Sequence, residues 1–418
     1  MKNKNKQALL PKVRFPEFKT DGAWDAMPLG NVSDRIVEKV GEAKLTTVSI
    51  TAGRGFVSQA EKFGRDISGA QYKNYIFLRH GEFSYNKGNS NLYPQGCVYR
   101  LKEFDQAAAS NAFICFRLHQ GQAPGFYEGF FGKNAHGRQL IRFLTSGARS
   151  DGLLNISPEE FFSVRVPLPP RPAEQQKIAD CLSSLDELIV AEDRKLDALR
   201  AHKKGLMQQL FPRPGETRPR HRFPEFRNAP EWEEATVGSR CESFSGGTPD
   251  TTRKEYYGGR IPFIRSAEIG KDSTELFLTE QGLENSAAKL VERGEVLVAL
   301  YGANSGDVAL SRLAGAINQA ILCLRPEGNR AFLYHYLTEK KAWILATYIQ
   351  GGQGNLSGEI VKSISLWFPL PKEQEAVADC LSAVDDLIAE QNRKTDALQT
   401  HKKGLMQQLF PSPEEVEA

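Results

Sequence analysis

Eleven residues of this chain occur twice. His202-Lys-Lys-Gly-Leu-Met-Gln-Gln-Leu-Phe-Pro212 returns letter for letter as His401-Lys-Lys-Gly-Leu-Met-Gln-Gln-Leu-Phe-Pro411, 199 positions later. The register holds backwards through Ala179-Asp-Cys-Leu-Ser183 and Ala378-Asp-Cys-Leu-Ser382 to Glu174-Gln175 and Glu373-Gln374. A second echo, spaced by 208, pairs Arg14-Phe-Pro-Glu-Phe18 and Trp24 with Arg222-Phe-Pro-Glu-Phe226 and Trp232. Between the echoes, residues 30–165 and 238–367 look nothing alike. A duplicated frame carrying two unrelated inserts suits a protein that reads two different things.

Within the repeat, Ile178, Leu182, Leu185, Ile189, Glu192, Leu196, Leu199, Lys203, Leu206 and Leu210 alternate steps of four and three. Val377, Leu381, Val384, Ile388, Gln391, Thr395, Leu398, Lys402, Leu405 and Leu409 repeat the pattern. That is a heptad seam, and it predicts two long helices. Prolines at 172, 212, 371 and 411 bound them, because proline is tolerated in a first turn and not inside. Each rod is expected to be about 55 Å long at 1.5 Å per residue. Both copies lie in one chain with an insert between them, which favours an antiparallel pair over a helix packed only on its own domain or an ordinary homodimer. Aligning the centres sets Glu192 opposite Gln391, Lys203 near Asp379 and Lys402 near Asp180. Gly205 and Gly404, each costing about 1 kcal/mol inside a helix, fit either a close backbone approach or fraying toward the proline.

Charge is unevenly distributed. The net value is +3 for 418 residues, yet residues 1–166 carry 23 Lys/Arg against 15 Asp/Glu and residues 369–418 carry 5 against 10. A basic first insert and an acidic final segment point to one surface for a polyanion and another for a protein. The weak total implies that a partner adds positive charge, since duplex affinity comes largely from phosphate neutralisation. Six cysteines without a C-x-x-C pair indicate neither zinc knuckle nor disulfide framework. Met1–Lys6 leads into no apolar segment, and no long apolar run follows. A cytoplasmic location away from membranes is expected.

The two helical segments ending in His-Lys-Lys-Gly-Leu-Met-Gln-Gln-Leu-Phe-Pro, each preceded by a dissimilar insert, resemble the DNA specificity (S) subunit of type I restriction-modification enzymes. Gly247-Thr-Pro249, Tyr257-Gly-Gly-Arg-Ile-Pro-Phe-Ile-Arg-Ser266 and Asn318-Gln319 look like that family's usual target-recognition domain. Gly81–Asn91 and Tyr93–Gly96 look like another branch of it, which makes transfer between the two inserts unsafe. The resemblance implies an α+β fold. Two mixed α/β target-recognition domains (1–166 and 213–368) would alternate with conserved spacer helices (167–212 and 369–418), in a pseudo-two-fold repeat with the helices antiparallel. Each domain would read one half of a split, asymmetric site in double-stranded DNA. The helices would set the spacer and dock two DNA adenine methyltransferase (M) subunits, with restriction (R) subunits joining that core. S-adenosylmethionine, ATP and Mg would belong to those partners and no cofactor to this chain.

Duplex reading needs phosphate contacts for position and Arg, Lys, Asn or Gln at base edges for sequence. The candidates in polar stretches are Arg54, Tyr85, Asn86, Lys87, Asn89, Asn91, Arg149, Arg253, Lys254, Arg265, Ser266, Tyr301 and Asn304. Asn and Gly runs also make plain turns, and a lone Arg is often a solvated charge. His202, Lys203, Lys204, His401, Lys402 and Lys403 are candidates for the partner-facing helix surface. Catalytic motifs are missing from the sequence: no G-x-x-x-x-G-K-[ST], no donor-binding glycine loop with an Asn/Asp-Pro-Pro site, and no H-x-x-x-H pair. The competing expectation is a non-catalytic structural adaptor with two ligand-binding heads on a coiled-coil spacer.

Overall fold

The computed structural model describes residues 9–88, 93–144, 154–213, 215–348 and 355–411. Two helices of 39 residues, Pro172–Leu210 and Pro371–Leu409, are its longest elements, and both begin on proline. The chain divides into two compact units. The first comprises Met1–Glu192 with Lys394–Ala418, and the second Asp193–Arg393. Each unit therefore holds one insert, the start of the helix that follows it, and the end of the other long helix.

In the first unit the insert forms three sheets. Asp25–Pro28 pairs antiparallel with Arg165–Leu168 and closes the insert at its base. A four-stranded antiparallel sheet runs in the order Ser33–Arg35, Ile114–Leu118, Phe83–Asn86, Cys97–Arg100. A second sheet runs Gly55–Ser58, Thr47–Thr51, Gln106–Ala109, Ile76–Arg79, and its central pair is parallel. The core is aromatic: Phe83 stacks on Phe116 at 5.1 Å and Tyr85 on Phe161 at 4.5 Å.

The second unit repeats this plan strand for strand with an unrelated sequence. Glu233–Thr236 pairs with Ser365–Phe368. One sheet runs Cys241–Ser245, Ile321–Pro326, Val296–Ala299, Val308–Leu310, all antiparallel. The other runs Phe277–Leu278, Tyr257–Ile264, Gly315–Ile317, Lys289–Val291, again with a parallel central pair. Buried runs such as Val296-Leu-Val-Ala299, half of them β-branched, suit strands covered on both faces. Different side chains thus meet the same pattern of burial.

In each unit the two long helices contribute antiparallel segments. In the first, Lys402 pairs with Asp186, and Lys394 reaches Glu192 at 2.6 Å. In the second, Lys203 lies 2.6 Å from Asp385, and Arg200 donates to Asn392 at 3.3 Å. The partners Asp385 and Asp186 replace the expected Asp379 and Asp180. Helical side chains lean toward the N-terminus of their own helix, so in an antiparallel pair a long lysine reaches a partner with a higher number than the facing backbone suggests. Both pairs shift in that direction. An added Cβ at Gly205 or Gly404 would meet nothing within 4 Å, so neither glycine serves a close backbone approach.

The two echoes of the sequence meet in space. Arg14 binds Glu174 through two bonds of 2.6 and 2.7 Å, and the Trp24 indole donates to the same carboxylate at 3.2 Å. Arg222, Glu373 and Trp232 repeat the arrangement at 2.6, 2.7 and 3.2 Å. The adjacent glutamines do the same work: Gln175 Oε1 accepts from the Ala123 N–H and Gln374 Oε1 from the Asn329 N–H, each at 3.1 Å. Those amides open the insert helices Pro124–Gly132 and Arg330–Tyr348, whose first N–H groups have no partner within the helix. The far end of the other rod fills the same core, with Phe410 against Phe126 and Phe211 stacked on Tyr336 at 4.5 Å. Gly125 and Gly129 let the insert helix lie close on Pro172–Leu210, since an added Cβ would come within 2.9 Å of Ala179 and 2.8 Å of Leu182, and at Gly129 within 3.0 Å of Phe410 as well.

Candidate nucleic-acid interface

Strand registers gather four loops at one edge of the second insert. Ser245 pairs with Leu322, Ala299 with Ile321, Ile264 with Ile317 in parallel, and Lys289 with Ile317. The segments leaving these residues are Gly246–Asp250, Tyr301–Gly306, Arg265-Ser266 and the turn Asn318-Gln319-Ala320, which therefore share an edge. The first insert does the same with Arg35 on Phe116, Tyr85 on Ile114, Val48 on Ala109 in parallel, and Ile76 on Ala109. There the corresponding segments follow Arg35, Asn86 and Val48, with the turn Ser110-Asn111-Ala112. Connections at strand ends are where a rigid sheet presents side chains to a ligand.

The turns match closely. Asn318 Oδ1 accepts from the Ala320 N–H at 3.1 Å, and Ser110 Oγ from the Ala112 N–H at 3.3 Å. Each turn leaves its second residue, Gln319 or Asn111, exposed. In the second insert Thr248 Oγ1 donates to Gln319 Oε1 at 2.7 Å, which orients the amide. Only glycine fits beneath it: a Cβ at Gly246 would stand 1.8 Å from the Ile317 carbonyl oxygen.

Among the candidates, the structure brings Arg265, Ser266, Tyr301 and Asn304 to this edge. Tyr301 is 41% exposed, while Ser266 and Asn304 are half-buried. Arg265 is held by two carboxylates, donating to Glu268 at 2.9 Å and to Glu275 at 2.5 Å, and its pKa is raised by these bonds. Burial alone would raise the Glu268 carboxyl, but bonds from Arg265, backbone N–H groups and Thr274 bring it down to about 2. A base contact by Arg265 must share the guanidinium with these acids. Arg253 and Lys254 are exposed in the connection before Tyr257, at the opposite end of that strand from Ile264 and Arg265, and Arg253 donates to the Tyr256 hydroxyl at 3.1 Å.

In the first insert Asn86 and Lys87 lie at the equivalent edge, both half-buried. Asn86 Oδ1 accepts from the Gly88 N–H at 2.9 Å, and the Lys87 carbonyl from the Leu154 N–H at 3.0 Å. Arg54, in the turn after Thr51, pairs with Glu61. Asn89, Asn91 and Arg149 lie outside the described residues. Tyr85 requires a correction: its side chain is fully buried and its hydroxyl donates to the Gln95 carbonyl at 2.7 Å. Side chains alternate along a strand, and Tyr85 falls on the core side that Asn86 does not. Thr248, Gln319 and Asn111, which the structure places at these edges, were not among the candidates taken from the sequence. The polar-polar-Ala-apolar string shared by 110–113 and 318–321 was the available signal.

On the helices, His202, Lys204, His401 and Lys403 are exposed. Lys203 and Lys402 are half-buried at the seam positions expected for them, and their ammonium groups pair with Asp385 and Asp186. Among the described residues no cluster of His, Cys, Asp or Glu could hold a metal ion, and no helix is long and apolar enough to cross a membrane. Burial pushes the Cys115, Cys241 and Cys323 thiols up to about 12.

Comparison with known proteins adds independent support. Residues 230–400 match the type I restriction modification DNA specificity domain. The chain is 26% identical over 306 residues to the putative type I restriction enzyme MjaX specificity subunit of Methanocaldococcus jannaschii, covering 71% of this chain and 70% of that protein. It is 25% identical over 282 residues to the MjaVIII specificity subunit of the same organism, covering 64% and 66%. Its fold is similar to the S subunit of a type I restriction-modification system from M. genitalium, with a TM-score of 0.60, 14% identity and coverage of 97% and 100%. A chain from a type I R-M system studied for complex assembly and conformational transition gives 0.56 at 17% identity, covering 94% and 97%. Residues 230–400 thus match a type I restriction modification DNA specificity domain, and the chain is similar in sequence to specificity subunits of type I restriction enzymes.

Proposed function

We propose that this chain is the DNA-reading, non-catalytic subunit of a type I restriction-modification complex, with each insert reading one half of a bipartite, asymmetric duplex site. The observation that carries this reading is the pairing of one strand order with two unrelated sets of edge loops. A shared scaffold with different Asn, Gln, Thr and Arg side chains at the same strand ends is what two different base sequences would require. Gln319, Thr248, Tyr301 and Arg265 would face bases or phosphates in one half, and Asn111, Asn86 and Lys87 in the other.

The long helices would set the spacing between half-sites and dock one methyltransferase subunit per repeat. Packing does not dictate the identity of exposed residues, yet His202/His401, Lys204/Lys403 and Gln208/Gln407 are the same in both copies and exposed. Leu188 and Leu387, also equivalent, are 42% and 52% exposed. A repeated outward face fits two copies of one partner. Methyl donor, ATP and Mg would be bound by the partners, where the chemistry would take place.

The test is an exchange. Residues 30–165 are replaced by the equivalent insert of a relative, and methylated adenines are mapped across the host genome. One half of the methylated site should change while the other half stays. A change in both halves, or in neither, would overturn the two-reader model.

A further inference from the structure

Glu275 stands beside Arg265 at the edge of the second insert. The Phe263 N–H donates to the Leu276 carbonyl at 2.9 Å, which sets Glu275 at the end of strand Tyr257–Ile264, where Arg265 follows. The Glu275 N–H donates to Glu268 Oε1 at 3.2 Å, and its Oε2 accepts from Arg265 Nη2 at 2.5 Å. Arg265 also commits Nε and Nη2 to Glu268, at 3.1 and 2.9 Å. Its Nη1 and Glu275 Oε1 bond to nothing among the described residues. A donor and an acceptor are thus left side by side, on side chains 39% and 79% exposed.

Folding does not explain Glu275. The buried Glu268 already binds the guanidinium, and an exposed ion pair adds little stability while it restricts two long side chains. A phosphate does not explain it either. One guanidinium against two carboxylates leaves a net negative charge that repels a phosphate, and Lys271 and Asp272 in the same connection cancel. Among the described residues the first insert has no such pair at this place: Ser49 follows Val48 as Arg265 follows Ile264, and its Oγ accepts from Lys62 at 3.2 Å. The pair therefore belongs to what distinguishes one insert from the other. A fixed donor beside a fixed acceptor suits a base edge in the major groove, where an exocyclic amine adjoins an acceptor. Glu268 holds both side chains before any ligand arrives, which lowers the ordering cost of binding.

We propose that Glu275 is a specificity-determining residue of the second insert, its free oxygen accepting from the exocyclic amine of one cytosine or adenine while Arg265 Nη1 donates to the adjoining acceptor. The assignment rests on the reading of this insert as a recogniser of duplex DNA.

With the site known from methylation mapping, the complex assembled with its methyltransferase subunits is titrated with a panel of duplexes. In each, one cytosine or adenine of the second half-site is replaced by an amine-free pyrimidinone or purine base. At one position wild type should lose about fivefold or more in affinity, while Glu275→Ala binds the natural and amine-free duplexes alike. Elsewhere the two proteins should discriminate equally, and the analogue that responds tells cytosine from adenine. Comparing both proteins on the same duplexes cancels any effect of the analogue on the duplex itself. If Glu275→Ala keeps every penalty seen with wild type, the assignment falls and the reader model stands. If wild type shows no penalty at any position of that half-site, both fall.

Discussion

Arg14 and Glu174 stand 160 positions apart in the chain and form a two-bonded ion pair whose carboxylate is fully buried. The pair joins the arm before the first insert to the first turn of the helix after it, so the insert is tied at both ends to one point. Arg222 and Glu373 tie the second insert in the same way. A buried pair of this kind adds little net stability over an apolar substitute, but breaking it leaves a charge stranded.

Arg14→Ala should therefore destabilise the first unit by about 3–5 kcal/mol, and Arg222→Ala the second by a similar amount. Arg14→Lys should fall between, keeping the charge but losing the two-bonded fork. Hydrogen exchange resolved by peptide checks this. Arg14→Ala should raise exchange around Trp24 and Ala123 and leave the amides around Trp232 protected.

Lys203 and Asp385 can be exchanged. Lys203→Asp alone puts two acids together and should lower the urea midpoint of the second unit. Adding Asp385→Lys should recover most of the loss, with a coupling energy of about 1 kcal/mol. Lack of recovery in the double variant would place the lysine's partner elsewhere.

His335 is 1% exposed, its Nε2 is 3.4 Å from Ser382 Oγ, and its Nδ1 is 3.9 Å from Asp385. Burial, with the nearby Lys203 charge, lowers its pKa to about 3. The unfolded chain takes up the proton near pH ~6.5, so stability is complete above that value and falls as pH drops toward 3. The slope contributed by one such group is at most about 1.4 kcal/mol per pH unit. In His335→Gln the denaturation midpoint of the second unit should depend less on pH between 6.5 and 4. Equal slopes in both proteins would mean the imidazole is not held neutral.

Gln319 and Tyr85 should separate reading from folding. Gln319→Ala in the assembled complex should cost about 1–3 kcal/mol of discrimination at one base position and little stability. Tyr85→Ala should cost about 3–5 kcal/mol of stability and spare base preference in the complex that still folds. Competition binding with single-base variants of the site, together with thermal unfolding, measures both.

The sequence by itself determined the two-part plan, the helices and their ends. Exact repetition carries its own register, and a heptad seam bounded by proline has few other ways to bury its apolar face; the helices run Pro172–Leu210 and Pro371–Leu409. It also marked Arg14, Trp24 and Glu174 as a set, because all three recur. Only the tertiary structure decided that they meet on one carboxylate, that each rod ends in the core beneath the other insert, and that two unrelated inserts share a strand order. These are contacts between residues a hundred or more positions apart, and no local pattern encodes which distant side chain will arrive. Tyr85 shows the limit at the level of one residue. Beside Asn86 and Lys87 it looks like a loop aromatic offered to a ligand, but the pleat turns it inward and leaves its neighbour at the edge.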